Sequence, residues 1–302
     1  MAGVLERIRR AGRPPFHTLS PLAARAAYEA AAEVLDLPRA PLARVEDLQL
    51  PGGDGLPRPA RLYAAGPGPR PALLYLHGGG FVIGSLQTHD SLCRQIARRS
   101  GFAVVALDYR LAPEHRFPAA FDDAFAALRA LSNDAARHGL AERPIAVAGD
   151  SAGGTLAAAC ALHARDIGLP LSLQVLITPG TAARTDSASH HLFGHGFLLD
   201  RDAIAWFFDH FIPREQRHDP RFAPLEADVD GVAPAFVLLA ECDPLVDEGL
   251  AYADRLRAAG VAVDLELVRG VTHDFIKMGR AVPQAQTALD AIATALKGSL
   301  AP

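Results

Sequence analysis

The chain has 302 residues, 50% hydrophobic and 21% charged, with a formal net charge of −4. That length accommodates one large core or two small ones, and that balance is the balance of a soluble globular protein rather than a disordered or membrane-embedded one. No apolar stretch reaches membrane-spanning length, and the scattered arginines leave no basic footprint for nucleic acid.

Met1 to Arg10 carries positive charge but no apolar core of signal-peptide length, so export by that route is not expected and the cytoplasm is the default location. Val4, Leu5 and Ile8 give a weak helical rhythm, and Pro14-Pro15 breaks it. Ser20-Pro21 then opens a second helix through Ala32, with serine as N-cap and proline as the first helical residue. These helices precede any strand signal and are expected to pack over something else rather than join a sheet. Val45 to Leu50 and Arg61 to Ala64 read as short strands, and the Pro51-Gly52-Gly53-Asp54-Gly55 turn predicts that they pair antiparallel at a sheet edge.

From Pro71 the rhythm becomes apolar run, turn, helix, repeated. Ala72 to Leu76 is a buried-strand pattern, followed by the loop His77-Gly78-Gly79-Gly80 and an amphipathic helix over Ser91 to Ser100 that Gly101 stops. Phe102 to Leu107 is the next strand, and Asp108 to Pro118 is a loop rich in proline and charge. Phe121, Ala124, Phe125, Leu128 and Leu131 recur at helical spacing. Ile145 to Ala148, Leu171 to Ile177, Ala235 to Ala240 and Val263 to Val268 continue the strand series. The fold class is therefore α/β, a mostly parallel sheet with helices on both faces. Val263, Leu265 and Leu267 alternate with polar or small residues, which puts this late strand near an edge.

The alternation lapses over Thr181 to Pro224, a polar, His-rich loop followed by an apolar helix with Ile204, Phe207, Phe208 and Phe211. An insertion of that length reads as a functional cover. Val282, Ala285, Leu289, Ile292 and Leu296 are the buried stripe of a closing helix.

The chemistry centres on Gly149-Asp150-Ser151-Ala152-Gly153-Gly154, between the apolar run Ile145 to Ala148 and the helical run Thr155 to His163. Small flanking residues let a strand turn sharply into a helix and expose the serine hydroxyl at the helix N-terminus, where negative charge is favoured. A bland Ser/Gly turn has the same composition, but the strand before and the helix after are what a G-x-S-x-G nucleophile turn demands. A serine needs a base, and the base needs a carboxylate to hold its tautomer. In such a sheet the order along the chain is Ser, acid, His, each at the carboxyl end of a strand. His273 is the one histidine downstream of the strand ending at Ala240, after a short Arg269-Gly270-Val271-Thr272 turn. Asp243 follows Ala240 closely, whereas Asp247 and Glu248 lie a turn further into the next helix. The alternative for Asp243 is an N-cap before Pro244, and for His273 a satisfied loop histidine. Backbone donors for the oxyanion are expected from Gly79 and Gly80, with the Ala152 amide as the third.

These residues resemble the hormone-sensitive-lipase-like branch of the α/β-hydrolase family, specifically the bacterial carboxylesterases with a GDSAG serine turn. The matching segments are His77-Gly78-Gly79-Gly80-Phe81, Asp108-Tyr109-Arg110-Leu111-Ala112-Pro113-Glu114, the serine turn, Asp243-Pro244-Leu245 and the stretch around His273. The resemblance implies a single α/β-hydrolase domain that hydrolyses short- to medium-chain acyl esters, with Ser151 as nucleophile, Asp243 as acid and His273 as base. It also implies a cap formed by residues 1–44 and about 181–224, a small-molecule ester as the partner, and no cofactor. One departure is Asp274, where the family often has glycine after the base.

Other features take structural readings. His191 and His195 have the spacing of zinc ligands on a helix, but Gly194 and Gly196 disfavour a rigid helix there, so no metal is expected. Cys93, Cys160 and Cys242 are odd in number and widely spaced, which reads as reduced thiols. Asp150 is expected to support the site from behind or the helix start rather than act as a second acid, and Trp206 with its phenylalanine neighbours to be core or the wall of an acyl pocket. Two rival functions use the same fold: an amidase or acyltransferase with the same site, and a non-catalytic small-molecule receptor. A homodimer through the late edge strand is the oligomer this pattern allows.

Overall fold

Apolar runs too short for buried helices and too continuous for exposed strands form the centre of the molecule. The computed structural model describes residues 1–300. The chain begins with two helices, α1 (Ala2–Arg10) and α2 (Pro21–Ala31), and an antiparallel pair, β1 (Arg44–Pro51) and β2 (Pro57–Ala64). Strands and helices then alternate: β3 (Ala72–Leu76), α3 (Asp90–Ser100), β4 (Ala103–Leu107), α4 (Ala119–Asn133), β5 (Ile145–Asp150), α5 (Ala152–Asp166) and β6 (Leu171–Ile177). Two helices, α6 (Ala188–Phe193) and α7 (Arg201–Phe211), interrupt the pattern before β7 (Ala235–Cys242), α8 (Val246–Ala258), β8 (Val263–Thr272) and α9 (Gln284–Gly298).

The strands form one eight-stranded sheet in the order β1-β2-β4-β3-β5-β6-β7-β8. β2 runs antiparallel to both its neighbours, β1 and β4, and β3 through β8 are parallel. Alternate side chains feed two cores. Leu74, Leu76, Val147, Leu176 and Leu239 meet α4, α5 and α8 on one face; Leu73, Tyr75, Ala148, Val175 and Leu238 meet α3 and α9 on the other. Because both faces are covered, the central strands are apolar throughout. Each leucine or valine buried there contributes about 1.5–3 kcal/mol.

Helix boundaries follow local chemistry. Ser20 caps α2, its hydroxyl accepting the Ala23 amide at 3.3 Å, and Gly101 ends α3 in the left-handed conformation at φ 77°. The antiparallel edge pair and the edge position of β8 are as the sequence predicts. The segment Arg269 to Thr272 differs. The sequence reads as a turn there, but β8 continues to Thr272, with Ala240 paired to Val268 and Cys242 to Thr272. Three residues of β8 thus oppose one of β7, a bulge closed by the Gly270 amide on the Glu241 carboxylate at 2.8 Å. Gly270, at φ 69°, supplies the kink, and it is the glycine that made the segment look like a turn.

Helix α2 is tied down by Arg25, which donates to the Val82 carbonyl at 2.8 Å, to the Ala112 carbonyl at 2.8 Å and to Glu114. Among the described residues no helix is long and apolar enough to cross a membrane.

Candidate active site

Strand β5 ends at Asp150 and α5 starts at Ala152, which leaves Ser151 alone to reverse the chain. Ser151 has φ 53° and ψ −121°, a conformation that residues with a Cβ rarely adopt and that the surroundings must enforce. The flanking glycines permit it. A Cβ on Gly149 would lie 2.2 Å from the Gly153 backbone, and one on Gly153 would lie 1.9 Å from the Leu76 carbonyl oxygen. The Ser151 amide is fixed to the neighbouring strand by donating to the Ile177 carbonyl at 2.8 Å.

Asp243 comes immediately after β7 and His273 immediately after β8, so both stand at the same carboxyl rim of the sheet as Ser151. The Asp243 carboxylate is divided: Oδ1 accepts the Leu245 amide at 2.9 Å, and Oδ2 faces His273 Nδ1 at 2.7 Å. Asp243 is not the N-cap weighed in the sequence: α8 begins at Val246 with Leu245 before it, and Oδ1 instead closes a turn on the Leu245 amide. His273 Nε2 stands 2.9 Å from Ser151 Oγ. An ionised carboxylate only accepts, so in the neutral imidazole the proton sits on Nδ1 and Nε2 is free to accept from the serine hydroxyl. Burial alone would pull the imidazole pKa down, but the Asp243 charge and hydrogen bond, with Asp274 and Asp150 adding to them, raise it above its ordinary value. Asp247 accepts the Ser189 amide at 2.8 Å and Glu248 accepts the Thr181 amide at 2.6 Å, so both face the inserted segment. Burial pushes the Glu248 carboxyl up to about 8 despite the Thr181 and Ala182 amides on it.

The loop His77 to Gly80 leaves the end of β3 beside Ser151. Among the described residues, neither the Gly79 nor the Gly80 amide donates to another backbone group. Ala152 is the first residue of α5, where amides have no partner within the helix. Gly80, Ser151 and Ala152 line one cavity of about 50 Å³ together with Phe207, Phe208 and Phe222; Gly79, one residue before Gly80, does not line it. The apolar face of α7 therefore splits. Phe207 and Phe208 face the cavity, Phe211 stacks on Phe81 at 4.0 Å, and Trp206 packs against Phe207 outside it. Helix α6 ends at Phe193, so His191 and His195 do not share a helical face, and no group of three or more metal-ligating side chains occurs among the described residues.

Residues 73–277 match the family described as alpha/beta hydrolase fold. The chain belongs to that family. An ethyl acetate hydrolase from Pseudomonas putida is 42% identical over 312 aligned positions, covering 98% of this chain and 96% of that one. A carboxylesterase, NlhH, from Mycobacterium tuberculosis is 42% identical over 230 residues, 74% of this chain and 72% of its own. The solved structure of a thermostable esterase from Pseudomonas putida superposes with a TM-score of 0.94 at 32% identity, covering 99% of this chain and 96% of that one.

In this α/β-hydrolase, sequence reasoning passed over several polar residues near the site. His89 and Tyr75 converge on the buried Asp150, and Lys277 donates to the Tyr28 hydroxyl at 2.6 Å, linking the loop after His273 to α2. No local spacing announces these contacts. His89 lies 61 residues before Asp150, and Tyr28 lies 249 before Lys277.

Proposed function

We propose that this chain is a serine carboxylic ester hydrolase of the hormone-sensitive-lipase-like branch, marked by its GDSAG turn, in which Ser151 is the nucleophile, His273 the base and Asp243 the acid. The observation that carries this reading is the unbroken relay from Asp243 Oδ2 to His273 Nδ1 at 2.7 Å and from His273 Nε2 to Ser151 Oγ at 2.9 Å. Relatives named ethyl acetate hydrolase and carboxylesterase support the ester as substrate.

His273 takes the Ser151 proton as Oγ attacks the ester carbonyl, and Asp243 stabilises the imidazolium that forms. The Gly79, Gly80 and Ala152 amides are the donors that meet the oxyanion of the tetrahedral intermediate. His273 then protonates the leaving alcohol, and water repeats the sequence on the acyl-enzyme. The cavity of about 50 Å³ has room for roughly three or four water-sized groups, which suits a short acyl chain.

We assign the cap to residues 1–44 and about 181–224. Phe16 packs 6.4 Å from Phe207, and Phe207 and Phe208 close the cavity above Ser151, which supports that assignment. The free edge of β8 supports a dimer formed by pairing two such edges. The test of the reaction is Ser151→Ala with p-nitrophenyl acetate. Turnover falls by roughly 10⁴-fold or more while the circular dichroism spectrum is unchanged; retained turnover rejects the assignment.

A further inference from the structure

The residue before the nucleophile is a carboxylate in a place where a carboxylate needs explaining. Asp150 is fully buried at the end of β5, next to the point where negative charge would develop during acyl transfer. Its position costs desolvation and opposes an oxyanion electrostatically, so a carboxylate at this spot calls for a compensating use. Three donors converge on it. Tyr75 Oη donates to Oδ1 at 2.6 Å, the Gly78 amide donates to Oδ1 at 3.0 Å, and His89 Nε2 lies 3.1 Å from Oδ2. A carboxylate only accepts, so His89 carries a proton on Nε2. Burial would raise the Asp150 carboxyl, but His89, the Lys277 charge and the Tyr75 hydroxyl together hold it well below the ordinary range, so it is ionised.

The partners of Asp150 bracket the glycine loop at both ends. At the start, the Gly78 amide is bound directly, and a Cβ at Gly78 would sit 2.3 Å from Asp150 Oδ2, so the loop passes the carboxylate only because residue 78 has no side chain. At the far end, His89 Nδ1 is 2.8 Å from Thr88 Oγ1, which accepts the Ser85 amide at 2.9 Å. In between, the Tyr109 hydroxyl donates to the His77 carbonyl at 2.6 Å, and the Val82 and Ile83 amides donate to the Gly79 carbonyl at 3.1 and 2.9 Å. The loop is thus pinned on either side of Gly79 and Gly80, and their own amides stay unpaired.

We propose that Asp150 and His89 form a positioning pair that fixes the oxyanion loop, from Gly78 to Ser85, against the serine turn, so that the Gly79 and Gly80 amides are aimed before substrate arrives. The proposal rests on the reading of Ser151 and these amides given under Proposed function. Neither Asp150 nor His89 touches substrate; both act through the loop. Preorganised donors are effective because they need no rearrangement as charge develops, and the removal of a single one costs about 10²–10³ in rate.

The experiment compares wild type with Asp150→Ala, Asp150→Asn and Tyr75→Phe, with rates normalised to active sites titrated by a fluorophosphonate. The readouts are kcat and KM for p-nitrophenyl acetate and the inhibition constant of a trifluoromethyl ketone, which binds as an oxyanion adduct. Asp150→Ala is expected to lower kcat roughly 10- to 100-fold with KM changed little. It weakens the ketone in proportion to the loss in kcat/KM. Asp150→Asn keeps an oxygen for Gly78 and Tyr75 and recovers most of the loss. Tyr75→Phe preserves volume, lowers kcat several-fold and carries the test if Asp150→Ala does not fold. Variants with wild-type kcat per titrated site and unchanged ketone affinity overturn the proposal while leaving Ser151 as nucleophile. Wild type that the fluorophosphonate does not label at Ser151 overturns instead the reading on which the proposal rests.

Discussion

His273 follows the bulge in β8 and precedes Asp274, which adopts φ 61°, a left-handed conformation that glycine takes most readily and Asp tolerates. The carboxylate at 274 adds to the field that raises the His273 pKa, after burial, which lowers it, and Asp243, which more than restores it. The consequences have definite signs. A base must be unprotonated, so kcat/KM rises with pH through the His273 pKa. Replacing Asp274 with glycine removes a negative neighbour, lowers that pKa and moves the rising limb of the profile to lower pH; an unchanged profile dismisses the role of Asp274. Stability runs the other way. Because the folded imidazole binds its proton more tightly than the unfolded one, the pair with Asp243 stabilises the fold below about pH 6.5. That contribution is lost as pH rises through the folded value. At this scale the sequence was informative where a residue is unique in its region, as His273 is, and silent where two distant residues meet, as His89 and Asp150 do.

Secondary-structure elements place these residues through two close contacts. The first is the crossing of α5 over the ends of β3 and β5, where Gly153 meets the Leu76 carbonyl and no flexible side chain can give way. Gly153→Ala is therefore expected to destabilise the fold by about 3 kcal/mol, the upper end for overpacking, as measured by urea unfolding. The second is the apolar face of α7, where Phe208 closes the cavity over Ser151. Phe208→Ala deepens the pocket and raises kcat/KM for hexanoyl relative to acetyl esters roughly tenfold, read from a p-nitrophenyl ester series. The sequence identified α7 as an apolar helix but gave equal weight to its aromatic residues, because composition does not distinguish the side facing a cavity from the side facing core. Strands β3 and β6 were legible to the residue, since continuous apolar runs such as Ala72–Leu76 have few other destinies, whereas β2 begins four residues before Arg61 because Pro57 to Ala60 carries no such run. The end of β8 was not legible, because one glycine serves a turn and a bulge equally well.

For the whole molecule, the parallel sheet is what brings residues 151, 243 and 273 to one rim: parallel strands all finish on the same side, and β5, β7 and β8 each end within one residue of a proposed site residue. The order of strands in the sheet was not readable from the chain, because β4 lies outside β3 while β5 to β8 add on the other side, and each crossover helix covers whichever face the right-handed connection dictates. What the sequence did carry was the succession of strand, loop and functional residue, which suffices for the site because loops at one sheet edge converge whatever the order. The central claim is that Ser151 is the nucleophile activated by His273. It is tested most directly by treating the protein with a fluorophosphonate and mapping the modified peptide by mass spectrometry. The account predicts one adduct, on Ser151, formed at a rate that His273→Ala reduces at least about a thousandfold; labelling of another residue, or equally fast labelling in His273→Ala, contradicts it.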